Sequence, residues 1–231
     1  MKRDPALHRD SPHPLIAVYA DESCLGNGQD RDTPGGAGGV VEYQHPQSGG
    51  VTRRDFWISE PATTNNRMAL RSVIEAFRGL SAKGAPLDVI FTSDSKYLID
   101  GLRDWVHRWA ARGWTRKGGP IENLALWREA VTVVRGGGHR CDWRWVRGHD
   151  GHAQNEYANH LATTAAASQT ASGGFVPSQF ESWIGSRPSR AGRPGLRDAD
   201  PFPAAESFNP ARTLPDATHA LPLSAAGRRE N

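Results

Sequence analysis

The chain has 231 residues, with 28 Lys and Arg against 25 Asp and Glu for a formal net charge of +3, and a sequence pI near 9.1. That length holds one well-buried domain of about 150 residues with further segments, and two full domains would be tight. A mean hydropathy of −0.60 and the lack of any apolar run near the ~20 residues of a membrane span argue against a membrane partner. The first residues, "MKRDPALHRDSPHP", contain no apolar stretch of the kind a secretory signal needs, so a cytoplasmic location is the expectation. Two cysteines, Cys24 and Cys141, are too few for a disulfide framework or a thiolate zinc site and are read as reduced thiols.

Residues 1–13 carry no periodicity and read as a flexible arm. From Leu15, "LIAVYAD" is an apolar β-type run that ends on an acid. "GGVVEYQ" and "VTRRDFWISE" follow with strand-like alternation, separated by the turn-forming "HPQSGG". After "TTNN" the period becomes helical, with Leu70, Val73 or Ile74, Phe77 and Leu80 on one stripe, until "KGAP" stops it. "LDVIFTSD" is a strand that again ends on an acid, and "SKYLIDGLRDWVHRWAARG" is a helix with Leu98, Leu102, Trp105 and Trp109 aligned. Beyond "WTRKGGP" come a helix, "IENLALWREAVTVV", a strand, "CDWRWV", and a last helix, "AQNEYANHLATTAAA". The order βββαβααβα describes a single α/β domain over residues 14–168. Residues 169–231 are rich in Pro, Ser, Ala and Arg and read as a disordered tail, in which "FVPSQFESWIG" is the stretch able to dock on the domain or a partner.

Asp21 and Asp94 each close a strand. Neighbouring parallel strands bring their C-terminal ends together, and two carboxylates meeting there make an oxygen-donor site suited to Mg²⁺. The segments "YADESCLGN", "TTNNRM", "TSDSKY", "DWVHRWAARGW" and "DWRWVRGHDGHAQNE" occur in an order and spacing that resemble type 1 ribonuclease H, the enzymes that cut the RNA strand of an RNA–DNA hybrid. The resemblance covers about residues 14–168. It implies a ribonuclease H-like fold, a five-stranded mixed sheet flanked by helices, and two metal ions held by four acids. By resemblance Asp21 is the first acid, bridging both metals, and Asp94 is the third. His149 matches a mobile histidine that assists proton transfer or product release.

The other two acids are absent. Where the family has Glu in "RMEL", the chain has Ala69 in "RMAL"; where it has Asp on the last helix, the chain has Asn159. Two unit charges ~4 Å apart interact by about 4 kcal/mol at an effective dielectric of ~20, and a divalent ion roughly doubles this before solvation offsets it. Each 1.36 kcal/mol of lost transition-state stabilisation is about tenfold in rate, so weakened binding of Mg²⁺ (or Mn²⁺) and impaired cleavage are expected. Glu22, which stands where the family usually has Gly, and Asp150 are the acids that can compensate, as is Mn²⁺ in place of Mg²⁺. Asp30 and Asp32 lie in a short insertion nearby. Regular strand alternation would turn Glu22 away from Asp21.

The substrate-binding positions match the family better. By resemblance, Cys24, Asn27, Asn65 and Asn66 reach the hybrid's minor groove, where 2′-hydroxyls distinguish RNA from DNA. Thr64 and Asn123 match a pocket for a DNA-strand phosphate, with Arg147 as a helper or a solvated strand-end charge, and Lys96 lies near Asp94, where it can meet a backbone phosphate or offset the acids. Trp105, Trp109 and Trp114 match a handle that grips the DNA strand, and they also suit packing between two helices. The expectation is therefore a monomeric ribonuclease H-like protein that recognises RNA–DNA hybrids and cleaves them weakly or not at all. The alternatives are an active enzyme with rescued metal binding and a non-enzymatic interaction module; an engineered inactive form would carry the same two replacements.

Overall fold

The structure, a computed structural model, describes residues 13–26, 33–82, 84–186 and 198–217. Strands β1 (Leu15–Cys24), β2 (Thr33–Gln44) and β3 (Val51–Thr63) form an antiparallel meander, and helix α1 (Asn65–Ser81) follows. Strand β4 (Asp88–Ser93) runs parallel to β1, and β5 (Arg140–Trp145) runs parallel to β4. Between them lie α2 (Lys96–Asp100), a π-helical turn (Gly101–Trp105), α3 (Val106–Ala110) and α4 (Leu124–Gly136). Helix α5 (Ala153–Ser168) completes the expected order.

The sheet has six strands, in the order β5-β4-β1-β2-β3-β6, rather than the five expected. The sixth, β6 (Val176–Pro177), is a two-residue strand that pairs with Asp55 and Arg54 at the free edge of β3. Its shortness and its proline leave no alternation for a sequence pattern to register.

Side-chain alternation along β1 divides the core in two. Ile16, Val18 and Ala20 point into the larger cluster with Leu70, Val73, Phe77 and Trp127, under the face covered by α1 and α4. Ala17 and Tyr19 point into the smaller cluster with Tyr157 and Phe180, under α5. Two glycines of the run "PGGAGG" in β2 serve that second face: a Cβ at Gly36 would come within 2.2 Å of Ala162 O, and one at Gly38 within 2.7 Å of Leu161 Cβ and 2.8 Å of Ala162 N. Glycine thus lets α5 lie directly against the sheet. Gly101 does the same for Trp127, whose indole fills the space a Cβ would need; the 96–110 helix is π-wound there instead of continuous.

Part of the expected tail is ordered. Helix α6 (Phe180–Gly185) seats Phe180 in the smaller core, and residues 198–217 run across the β5 edge, burying Leu214 and Ala217. Backbone pairing explains what composition missed: Ala211 N–H donates to Cys141 O at 2.7 Å, Asn209 N–H to Asp142 Oδ2 at 3.1 Å, and the Arg128 guanidinium to Ala217 O at 2.6 and 2.8 Å. These polar links give the segment a place without a large apolar surface. The remainder of the tail, 187–197 and 218–231, and residues 1–12 of the arm, lie outside the described residues. Among the described residues no helix is long and apolar enough to cross a membrane.

Candidate active site

The parallel register of β1 and β4 sets Tyr19 opposite Thr92, so two residues further on Asp21 comes level with Asp94. Both carboxylates therefore sit at one end of the sheet. Alternation assigns Asp21 to the α5 face, beside Tyr19, and Glu22 to the α1 face. At this strand end, however, the three side chains converge: carboxylate oxygens of Asp21, Glu22 and Asp94 lie within 4.8 Å of one another. The expectation that Glu22 turns away holds for its strand face but not for its tip: Glu22 still pairs with Ala37 in a central strand, and its carboxylate meets those of Asp21 and Asp94 where the neighbouring β4 has already ended at Ser93.

Asp21 is 4% exposed; it accepts hydrogen bonds from Glu22 N–H at 2.7 Å and from Asn155 Nδ2 at 3.3 Å. Burial, and then the charge of Asp94, push its pKa up to about 8, against the lowering effect of the Glu22 amide and the Asn159 side chain. Burial also drives Glu22 well above the carboxylate range, with Asp21 and Asp94 adding to it. Asp94 is raised by burial, while its own backbone N–H and the nearby His149 act the other way. Glu22 Oε2 is enclosed and has no hydrogen-bond partner. A carboxylate oxygen left this way, in a cluster of hard oxygen donors, fits a divalent cation as the missing partner.

Position 69 is occupied differently. Ala69 has no exposed surface and belongs to the larger apolar cluster on α1, the same face to which Glu22 belongs by alternation. Asn159, four residues after Asn155 on α5, reaches Asp21 from the other face as an amide. Asp150 is exposed and lies outside the carboxylate cluster.

The loop between β5 and α5 folds over Asp94. Gly148 packs directly on that side chain: a Cβ there would come within 2.1 Å of Asp94 Oδ2 and displace the carboxylate. Trp145 Nε1 donates to Asp94 O at 2.9 Å, and Lys96 Nζ lies 4.6 Å from the Trp145 ring, so Lys96 is held at the site's rim. His149 has a left-handed backbone (φ 56°) and an exposed side chain whose Nδ1 lies 3.7 Å from Glu156 Oε1. The imidazole is thus open to solvent and near enough to Asp94 to act on its pKa.

Thr64 caps α1, its Oγ1 accepting from Arg67 N–H at 3.4 Å, and Asn65 and Asn66 follow in the first turn. Thr64 and Asn123 meet across a cavity of about 370 Å³ also lined by Arg67 and Glu122. Asn123 holds its left-handed backbone (φ 55°) with its amide donating to Tyr97 Oη at 3.4 Å. Arg147 does not line this cavity. Cys24 is half-buried, its thiol pKa raised by burial and by Glu22 and Glu60, and Asn27 falls outside the described residues.

The three tryptophans separate. Trp105 and Trp109 are half-buried, with ring centroids 5.9 Å apart, and both pack on Trp127. Trp114 is only 4% exposed and belongs to the core. Its ring is covered by Arg128 at 5.8 Å, so it supports the loop from inside instead of facing a ligand.

Residues 13–167 match the family model described as RNase H. The chain is 40% identical to a ribonuclease H of Polaromonas sp. over 148 residues, covering 64% of this chain and 85% of that protein. It is 42% identical to one of Shewanella amazonensis over 153 residues, covering 65% and 88%. A crystal structure of LC9-RNase H1, described as a type 1 RNase H with the type 2 active-site motif, is 59% identical with a TM-score of 0.84, covering 92% of this chain and 99% of that one. The foamy viral protease-reverse transcriptase in complex with RNA/DNA hybrid shares the fold at 14% identity and a TM-score of 0.54, over 73% of this chain and 22% of that one. With two thirds of its length matched by that family model, the chain belongs to the ribonuclease H family.

Proposed function

We propose that this protein is a divalent-metal-dependent endoribonuclease acting on RNA–DNA hybrids, in which Glu22 supplies the carboxylate that position 69 lacks. The observation that carries this reading is the convergence of Asp21, Glu22 and Asp94 within 4.8 Å, with Glu22 Oε2 enclosed and unpartnered. Three acids crowded together with raised pKa values are unfavourable in the metal-free protein, and such an arrangement persists where binding compensates for it. The 59% identical LC9-RNase H1, described as carrying the type 2 active-site motif on a type 1 protein, supports reading Ala69 as part of a rearranged acid set instead of a damaged one.

Bound Mg²⁺ or Mn²⁺ would activate a water and stabilise the leaving oxygen. Asp21, at the centre of the cluster, and Asp94 and Glu22 on either side would hold it. His149, exposed at the rim, would take up or deliver a proton during the displacement. The cavity between Thr64 and Asn123 would receive a backbone phosphate, with Arg67 as the nearby cation. Asn65, Asn66 and Cys24 would meet the minor groove, and Trp105 and Trp109 would bear on the DNA strand.

A second reading, hybrid recognition with weak cutting, rests on Asn159. It offers a neutral amide where an acid would add charge, and Asn155 already hydrogen-bonds Asp21. Cleavage of an end-labelled hybrid in Mg²⁺ and in Mn²⁺, beside a gel-shift titration, separates the two. The first expects metal-dependent cutting of the RNA strand that Asp94→Asn abolishes; binding without cutting in either metal would establish the second.

A further inference from the structure

We propose that Asp200, from the segment beyond the domain, is a positioning residue for the active-site end of the sheet; this rests on the hybrid-cutting reading above. The contacts begin at the start of α5. His152 caps that helix, its Nδ1 accepting from Asn155 N–H at 3.4 Å. A ring nitrogen that accepts carries no proton, so in the neutral imidazole the proton is on Nε2. Nε2 lies 3.0 Å from Asp200 Oδ2.

Asp200 therefore selects the tautomer that can cap the helix. The capped residue is the one that matters, because Asn155 Nδ2 donates to Asp21 Oδ2 at 3.3 Å. The chain of contacts runs from Asp200 through His152 and Asn155 to the central carboxylate.

A second grip reinforces the first. Asp200 N–H donates to Gln154 Oε1 at 3.2 Å, and Gln154 Nε2 donates back to Asp200 O at 2.9 Å. Gln154 has no exposed surface and its amide also reaches Glu42 Oε1 at 3.4 Å, so the link is anchored in the sheet. Ala199 and Phe202 pack on the smaller core on either side of Asp200. The His152 ring is braced by Tyr19, with centroids 5.3 Å apart. One residue outside the domain thus holds positions 152 and 154, which flank the loop bearing His149 and the helix turn bearing Asn155. Outer partners that orient groups around a metal typically change activity or affinity by about 10–100-fold when lost.

The test uses the full chain with Asp200→Ala, Asp200→Asn and His152→Asn. Asp200→Ala should lower kcat about tenfold and raise the Mn²⁺ concentration for half-maximal thermal stabilisation severalfold, with KM for the hybrid held within about twofold. Asp200→Asn, whose amide oxygen still accepts from Nε2, should recover most of both. In a His152→Asn background, where a good helix cap remains but Nε2 is gone, Asp200→Ala should add nothing to kcat or the Mn²⁺ midpoint. The proposal fails if Asp200→Ala lowers the melting temperature but leaves kcat and the Mn²⁺ midpoint unchanged, or if its effect persists in full in the His152→Asn background. Absence of cutting by the unaltered chain would instead sink the hybrid-cutting reading, and the Mn²⁺ midpoint alone would then decide the role of Asp200.

Discussion

The two faces of the sheet deal differently with an acid that the type 1 pattern leads one to expect. On the α1 face, position 69 is a fully buried alanine in an apolar cluster, and a carboxylate reaches the site from the end of β1 instead. On the α5 face, Asn159 stays an amide beside Asp21, and Asn155 adds a second one. On the proposed reading, one face relocates the charge and the other replaces it with hydrogen bonding. The lesson is that a missing ligand at one sequence position says little until the neighbouring strand end has been checked for a substitute.

The sharpest way to break this contrast is to remove the relocated carboxylate. Glu22→Gln should reduce hybrid cleavage at least about 100-fold, the loss expected when several kcal/mol of metal-borne transition-state stabilisation goes. The metal-free protein should be no less stable than before, because the amide removes a group whose charged form burial, Asp21 and Asp94 all disfavour. Steady-state cleavage and thermal melting of the two proteins measure both. A Glu22→Gln variant that cuts normally would remove Glu22 from the site and return the burden to Asp21 and Asp94.

The restoring substitution on the same face should fail. Ala69→Glu inserts three heavy-atom bonds' worth of side chain and an ionisable group into a position with no exposed surface. Overpacking and an unpaired buried charge together should destabilise by about 3 kcal/mol. No gain in cleavage should accompany it while Glu22 is present. Chemical denaturation and the cleavage assay check the two halves, and improved cutting at unchanged stability would show that position 69 faces the metal site after all.

The crowding also predicts a pH dependence with a definite sign. Asp21 is raised from an ordinary 3.8 to about 8 in the folded metal-free protein. The folded state therefore holds a proton that the unfolded state releases, so the associated stability is complete below about pH 4 and is lost as pH rises towards about 8. Metal ions compete with that proton. Metal binding should release protons and strengthen across the same window, with cleavage rising alongside it. Melting curves with EDTA and with Mg²⁺ from pH 5 to about 9 should diverge most at the alkaline end; parallel curves would mean that the carboxylates are already ionised.

How far the sequence led differs between these regions for physical reasons. The α1 stripe of Leu70, Val73, Ile74, Phe77 and Leu80 was legible because one helical face is buried along its full length. The alternation in β1 and the meeting of Asp21 with Asp94 were legible because parallel neighbours run in register, but Asp21 does not close its strand: β1 continues along β2 to Cys24, while β4 stops at Ser93. Glu22 was legible only as a candidate, since alternation alone points it to the far face and only three-dimensional convergence at the strand end brings it back. Asp200 was not legible at all. It lies in a segment whose composition resembles a disordered tail, and its role depends on contacts with His152 and Gln154 that no local period encodes. Trp114 is the reverse case: the resemblance assigned it to a DNA-gripping handle, whereas its left-handed backbone (φ 61°) and burial turn it into the core.

The smallest expected effect probes the α5 face. Asn159→Asp places a third charge near Asp21, at a position where the amide now favours the ionised form of that acid. Without metal the change should destabilise, since like charges at ~4 Å repel by about 4 kcal/mol at an effective dielectric of ~20 before one of them takes a proton. With metal the same charge becomes favourable, so the Mg²⁺ concentration for half-maximal cutting should fall severalfold and kcat should rise modestly, by about three- to tenfold. The two opposite signs make the experiment informative. Lower metal-free stability together with tighter metal binding is what an acid in contact with the site requires; a variant unchanged in both would place position 159 outside the ion's reach, and the α5 face would then contribute only hydrogen bonds.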